Sequence, residues 1–375
     1  MNEYIDFYEK NKISPVRQNI DDFSLHVKRR KGLYRQLGLL PSSFEGKKIL
    51  EVGPGGGYNA LVTATFKPEK YVLIEPNTTG FRELKRKFET SDINENVEFH
   101  NCLLEEFTCK EKFDVVLCEG LVQGLPNRSE FLSTLGSFVK EEGVLVITVA
   151  DEISMFFEIL RRYLANELLK NETDFEKQIE ILVEAFSSHL DTLKGMTRRY
   201  DDWCADLLCD AIYNHTFSVA DAIAFFQNEY FFYGASPNIF QDFRWYKALP
   251  NEPFDYNANY LQQFNTHRHN FINSNCIYES RDEGKNLELS DICKKLITVV
   301  KSLEKKEDIY EEKVLYTIFD DLKKNISTLD IKMSNAVEEV RELVGRVEID
   351  QVAQMKQLSS LFGRGQIFVS FVKSL

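Results

Sequence analysis

The sequence predicts an α/β fold: a mostly parallel sheet with helices on both faces, plus a large, mainly helical insertion or second domain. Three observations predict it. Between Lys47 and about Ala150, five short apolar segments alternate with helix-like ones, the pattern of strands joined by helical crossovers. After Ala150 the sequence turns helical, with long amphipathic stretches. At 375 residues the chain exceeds one ordinary domain.

In chain order, residues 1–46 read as a helical lead-in. Phe23, Val27, Leu33, Leu37 and Leu40 recur at helical spacing, and Pro41 ends the run. The core spans 47–150, with strand candidates at 47–52, 71–75, 96–100, 113–118 and 144–149. Helix-like segments lie between them at 58–66, 79–90 and 129–139. A helical cap or substrate region is expected over 151–365. It opens with several helices across 151–235, continues through an aromatic stretch from Gly234 to Tyr256, and carries amphipathic helices over 287–345. The stripes Leu296, Val299, Val300, Leu303 and Val337, Val340, Val344 read as core packing. A glycine-containing turn at 362–365 leads into Gln366–Val372, a strand expected to return to the core sheet beside the fifth strand. Residues 366–375 are therefore structural, and 151–365 is largely an insertion.

Composition narrows the classes of partner. The formal charge of −13 argues against long nucleic acid, which needs a basic surface. No apolar run approaches the roughly 20 residues of a membrane span, and the N-terminus lacks the basic start and apolar core of a signal peptide. A cytoplasmic protein is expected, with its seven cysteines as free thiols and none in a C-x-x-C pair. His267 and His269 alternate without an obvious third ligand, so no metal is expected. The helical region leaves room for a homo-oligomer contact.

The most informative stretch is Lys48-Ile-Leu-Glu-Val-Gly-Pro-Gly-Gly-Gly-Tyr58. A buried strand runs into glycines, and a helix starts just beyond them. Such a loop allows a tight turn and close approach of a ligand to the backbone. Gly53, Gly55 and Gly57 fall on alternate positions, whereas a dinucleotide fingerprint would place its third glycine where Tyr58 stands. A nicotinamide-dependent oxidoreductase is disfavoured on that ground. The second strand ends in Glu75, 24 residues after Glu51, where a carboxylate can accept both hydroxyl protons of a ribose.

The run Glu51-x-Gly53-x-Gly55-x-Gly57 resembles the first motif of the class I, Rossmann-like S-adenosylmethionine-dependent methyltransferases. The resemblance covers about residues 30–150. It implies S-adenosyl-L-methionine as cofactor, held by Glu51, Gly53, Gly55 and Gly57, with Glu75 on the ribose. The Asp that follows strand three in many members is absent from His100-Asn101-Cys102-Leu103-Leu104-Glu105. Backbone groups near Leu103 and Leu104 are then expected to meet the adenine. Glu119, just after FDVVLC, stands where the family faces the methionine end and the acceptor. The segment KEEGVLVIT resembles the family's turn into strand five. The four-residue D-P-P-Y signature of adenine N6 methylation is missing, which argues against a DNA-adenine target. The lead-in from Ile13 to Gly38 is similar to the N-terminal cover of bacterial small-molecule methyltransferases, some linked to surface glycans or natural products.

The function so implied is methyl transfer to a small polar acceptor, such as a sugar, an amino acid or a natural-product-like molecule, at O or N. A non-catalytic cofactor-binding scaffold or subunit of a complex is the alternative. An oxygen acceptor needs a base, and the candidates are Glu119, Asp151 and His215. Glu119 serves equally well as a cofactor ligand, Asp151 as a helix N-cap, and His215 as a structural histidine. Paired arginines stand at 29–30, 161–162 and 198–199. Arg161 and Arg162 share a helix face with Ser154 and Glu158 and are expected to face the acceptor.

Overall fold

The computed structural model describes residues 3–14, 17–91, 93, 96–125, 127–209, 216–245, 247, 255–305 and 312–374. The chain divides into two compact units: Met1–Val149 with His215–Phe264 and Gln366–Leu375, and Ala150–Asn214 with Asn265–Gly365.

The first unit opens with α1 (Glu3–Asn11) and α2 (Phe23–Gln36). There follow β1 (Lys48–Val52), α3 (Tyr58–Ala64), β2 (Lys70–Ile74), α4 (Thr78–Glu89), β3 (Val97–His100), β4 (Phe113–Cys118), α5 (Arg128–Ser137) and β5 (Val139–Ala150). The chain then forms α6 (Phe156–Leu168), α7 (Phe175–Leu190) and α8 (Tyr200–Cys204) of the second unit. It returns to the first for α9 (Val219–Phe226), β6 (Tyr230–Ser236) and most of α10 (Tyr256–His267). The second unit resumes with α11 (Glu283–Glu304), α12 (Glu312–Ile326), α13 (Ile331–Glu342) and α14 (Ile349–Ala353), and β7 (Gln366–Lys373) ends the first.

The seven strands form one sheet in the order β3-β2-β1-β4-β5-β7-β6. β1, β2, β3, β4 and β5 pair in parallel, with Glu51 opposite Leu73 and Leu117; β6 and β7 pair antiparallel. Ile49, Tyr71, Leu73, Val115, Leu117 and Val146 share a core with Tyr34, Leu61, Leu84 and Phe88 from α2, α3 and α4. The alternate residues Leu50, Val72, Val116 and Leu145 are also buried, so these strands are covered on both faces, as parallel sheets require.

Two outcomes differ from the sequence reading. The stretch 151–365 is not one continuous helical region, because 215–264 belongs to the first unit and supplies β6. The signal for β6 is weak: Tyr230, Phe231, Phe232 and Tyr233 are all aromatic, which hides their alternation of buried and exposed positions. Strand five also begins earlier than 144, at Val139, and its pairing to β4 shifts register between Val139 and Val144. Glu142 there adopts φ +58°, the local bend of a bulge.

In the second unit Arg161 is fully buried. Its Nη2 donates to the Leu358 carbonyl at 2.8 Å, its Nε to His189 Nδ1 at 3.3 Å, and its guanidinium lies 3.9 Å over the Phe362 ring. Arg162 is paired with Glu304. Both arginines, expected at an acceptor, thus have internal partners. No described helix is long and apolar enough to cross a membrane.

Candidate active site

Beyond the carboxyl end of β1 the chain must reverse in a few residues to start α3. Gly53, Gly55 and Gly57 all take positive φ, +75°, +55° and +82°, a region costly for residues with a Cβ. A Cβ at Gly53 would stand 2.4 Å from Leu121 Cδ1, and one at Gly57 2.5 Å from Leu84 Cδ1. Backbone conformation explains all three glycines, and close packing adds to it at Gly53 and Gly57.

The loop forms one wall of a cavity of about 220 Å³. Its polar lining includes Glu51, Glu75 and Glu119 with Asn59, Asn77, Gln18 and Gln366; Tyr8, Pro54, Leu121 and Phe368 supply apolar surface. All these residues belong to the first unit. A ligand here meets three carboxylates, and no Lys, Arg or His is among the described lining residues.

Each carboxylate is held differently. Glu75, at the tip of β2, accepts from Gly55 N at 2.6 Å and from Asn77 N at 2.8 Å. Burial pushes it up to about 7, against the pull of those two amides. Asn77 in turn caps α4, accepting from Gly80 N at 2.6 Å. Glu51 accepts from the buried Tyr71 hydroxyl on the neighbouring strand. Burial first, and then the Glu119 charge, pushes Glu51 up to about 7. Glu119 is held by a cation from outside the sheet. Arg30 of α2 donates through Nη2 to Oε1 at 2.5 Å and through Nη1 to Oε2 at 3.0 Å, while Asn59 Nδ2 reaches Oε2 at 3.1 Å. Arg30 also donates to Tyr34 at 2.8 Å. It is a forked arginine–carboxylate pair, the strong form of this contact.

The structure therefore brings together Glu51, Gly53, Gly55, Glu75 and Glu119 along one cavity. Gly57 stands at the start of α3. Leu103 and Leu104 are not among the lining residues: the Leu103 N–H is bonded to Glu106 at 2.9 Å, and Leu104 is buried. Asp151 lies in the second unit, fully buried, with its Oδ2 accepting from Arg268 Nη2 at 2.7 Å. Burial raises its carboxyl, against Arg268. Its Oδ1 accepts from Ile153 N at 2.8 Å, a turn-forming contact of the kind expected at a helix start. His215 lies outside the described residues. His269 Nε2 donates to the Glu279 carbonyl, 2.9 Å away, and no cluster able to hold a metal ion occurs among the described residues.

Arg30, Asn59, Asn77 and the N-terminal Tyr8 and Gln18 went unforeseen as parts of this site. For Arg30 a signal existed. It stands four residues before Tyr34 on a helix, and such i, i+4 neighbours can share a buried polar face.

Residues 43–201 match a family described as a methyltransferase domain. Among curated relatives, ubiquinone biosynthesis O-methyltransferase of Glaesserella parasuis is 24% identical over 146 residues, covering 36% of this chain and 60% of the relative. The protein of that name from Rickettsia typhi is 25% identical over 163 residues, covering 40% and 63%. The chain thus spans somewhat under two thirds of the length of these relatives. Among solved structures, PKMT2 from Rickettsia typhi is 15% identical at a TM-score of 0.43, covering 62% of this chain and 48% of that one. Magnesium protoporphyrin IX methyltransferase from Synechocystis is 19% identical at 0.26, covering 28% and 50%. The matched stretch, with a glycine loop and an acidic strand-two tip on a seven-stranded sheet, is a methyltransferase domain of the S-adenosylmethionine-dependent kind.

Proposed function

We propose that the first unit binds S-adenosyl-L-methionine in this cavity and transfers its methyl group to a small polar acceptor at O or N. The observation that carries the reading is the acid-lined cavity against a glycine loop whose own amide anchors Glu75. The fit is chemical as well as steric. The cofactor presents a cationic sulfonium and ammonium, and the cavity presents carboxylates. Glu75, already fixed by two backbone amides, keeps lone pairs for ribose hydroxyls. When bound, the cofactor supplies a methyl group activated by its sulfonium. The chain's part is to hold donor and acceptor in line and to exclude water.

Glu119 is read here as an acidic ligand rather than the base. Arg30 and Asn59 already donate hydrogen bonds to both its oxygens. The curated relatives' shared name supports oxygen as the acceptor atom. Within that range, a sugar, an amino acid or a natural-product-like molecule matches the polar amide of Gln366 beside Phe368. A cytoplasmic location accords with this substrate class.

Titration calorimetry tests the reading. S-adenosylmethionine and S-adenosylhomocysteine are expected to bind, and NAD is not. Binding of NAD alone would overturn it. Binding of S-adenosylmethionine without formation of S-adenosylhomocysteine across an acceptor panel favours the scaffold role instead.

A further inference from the structure

The first eighteen residues precede the glycine-loop motif by more than thirty positions, yet two of them, Tyr8 and Gln18, line the cavity. Tyr8 stands on α1, a nine-residue helix. A helix that short has little stability of its own, so its position depends on what it touches. Three contacts fix it and the residues after it. Glu9 Oε1 accepts from Thr78 N at 2.6 Å and from Asn77 Nδ2 at 3.0 Å. Those are the first residue of α4 and its cap, and the Asn77 amide itself donates to Glu75. A carboxylate at that helix start is favourably placed. Arg17 Nη2 pairs with Glu83 on the same helix at 3.0 Å. Ser14 Oγ lies 3.1 Å from where a Cβ on Gly56 would stand, so this segment packs on the glycine loop itself. Between these attachments Tyr8 is fully buried and forms part of the cavity wall.

We propose that Tyr8 and Gln18 contact the bound cofactor, and that Glu9 and Arg17 are positioning residues that hold them there. This rests on the cofactor reading above. An aromatic ring and an amide suit the flat faces and polar edges of a purine nucleoside. Glu9 links α1 to Glu75 through one residue, Asn77, so docking of α1 and occupancy of the ribose carboxylate are coupled. By linkage, a ligand that binds better when α1 is docked must also make α1 dock better.

The test uses the full chain and S-adenosylhomocysteine as probe, read by calorimetry, by stopped-flow dissociation and by hydrogen exchange of α1. Tyr8→Ala is expected to weaken binding and speed dissociation by roughly tenfold or more, as loss of a buried ring implies. Tyr8→Phe keeps the ring and stays within about twofold of wild type, since the hydroxyl is the smaller part. In the wild type the probe slows exchange of the α1 amides. In Glu9→Ala those amides exchange fast without the probe, and the probe restores part of the protection. A purely structural α1 would instead lower the melting temperature of the empty protein and leave the dissociation rate unchanged. Wild-type affinity and dissociation in Tyr8→Ala, with the wild type binding normally, overturn this inference alone. A wild type that binds neither S-adenosylmethionine nor S-adenosylhomocysteine overturns the cofactor reading and this inference with it.

Discussion

The two units bury charge in opposite ways. In the first, three carboxylates border a cavity, and each is answered by something different: backbone amides at Glu75, a tyrosine hydroxyl at Glu51, an arginine at Glu119. In the second, arginines are buried with internal partners. Arg161 is spent on main-chain carbonyls and His189, Arg162 on Glu304, and Arg268 on Asp151 and Glu152 together. Buried charges that line space are available to a ligand, whereas buried charges paired from within hold a fold. A buried carboxylate therefore carries different information at Glu75 than at Asp151, and sequence spacing alone does not separate the cases.

The largest expected effect comes from cutting the first unit short. β7 lies between β5 and β6, and its Ile367, Val369 and Phe371 are fully buried. Truncation after Gly365 should give insoluble or molten protein, read by loss of near-ultraviolet dichroism with far-ultraviolet signal retained. A folded truncation that still binds S-adenosylhomocysteine would show that the sheet is complete without its last strand.

Next in size is the second unit's charge cluster. Arg268 Nη2 stands 2.7 Å from both Asp151 and Glu152, which are almost wholly buried. Arg268→Ala leaves Asp151 without its cation and Glu152 with only the half-exposed Lys294 at 3.6 Å, and should cost about 3–5 kcal/mol in urea denaturation, the range for breaking a buried pair. A loss under about 1 kcal/mol would mean that this cluster behaves like a surface pair, and the contrast between the units would fail. Glu75→Ala is the matching change in the first unit. It should weaken S-adenosylhomocysteine by about 1.5–3 kcal/mol in calorimetry, the range for hydrogen bonds to a charged group. Unchanged affinity would remove Glu75 from the site.

A smaller effect follows from protonation. Glu51 and Glu75 are both raised from the ordinary 4.5 to about 7. A carboxyl raised on folding stabilises the fold while protonated. That contribution is present below about 4.5 and is lost as pH rises through about 7. A cationic ligand reverses the preference, because it gains from the ionised form. S-adenosylmethionine carries the sulfonium and S-adenosylhomocysteine does not. The ratio of their affinities should therefore move toward S-adenosylmethionine between about pH 6 and 8, by at most about tenfold per pH unit for each carboxylate. Glu51→Gln should flatten that profile. A ratio independent of pH in the wild type would separate these carboxylates from the sulfonium.

What could be read in the sequence follows from how local each signal is. The glycine loop, Glu75 and the strands from β1 to β5 are short-range patterns, fixed by positive φ at alternate residues and by apolar runs. The returning strand Gln366–Val372 was legible for the same reason. For Arg30 the helical spacing to Tyr34 was visible but its partner was not, because Glu119 is 89 residues away. Arg161 and Arg162 misled because i, i+4 spacing shows which residues share a face but not what that face meets. β6 escaped because four successive aromatics have no visible period.

The smallest effect concerns β6, which ends the sheet at an edge. Exposed edges invite pairing with another chain. Asn257, buried on α10, occupies part of this one: its Oδ1 accepts from Phe232 N at 2.8 Å, and its Nδ2 donates to the Tyr230 carbonyl at 3.0 Å. One amide side chain thus completes a donor and an acceptor as a neighbouring strand would. Asn257→Ala frees both groups and should cost about 1 kcal/mol, the net value of such bonds. Phe231 and Tyr233 beside it are 52% and 57% exposed, so the freed edge is also apolar. Sedimentation at rising concentration should show the variant self-associating more than wild type, while its affinity for S-adenosylhomocysteine stays within about twofold, because the changed residue is absent from the cavity wall. If the variant is as stable and as monodisperse as wild type, the Asn257 side chain does not protect the edge. If cofactor affinity falls instead, buried polar groups away from the cavity also serve binding, and the division between charge that lines space and charge that holds the fold is too sharp.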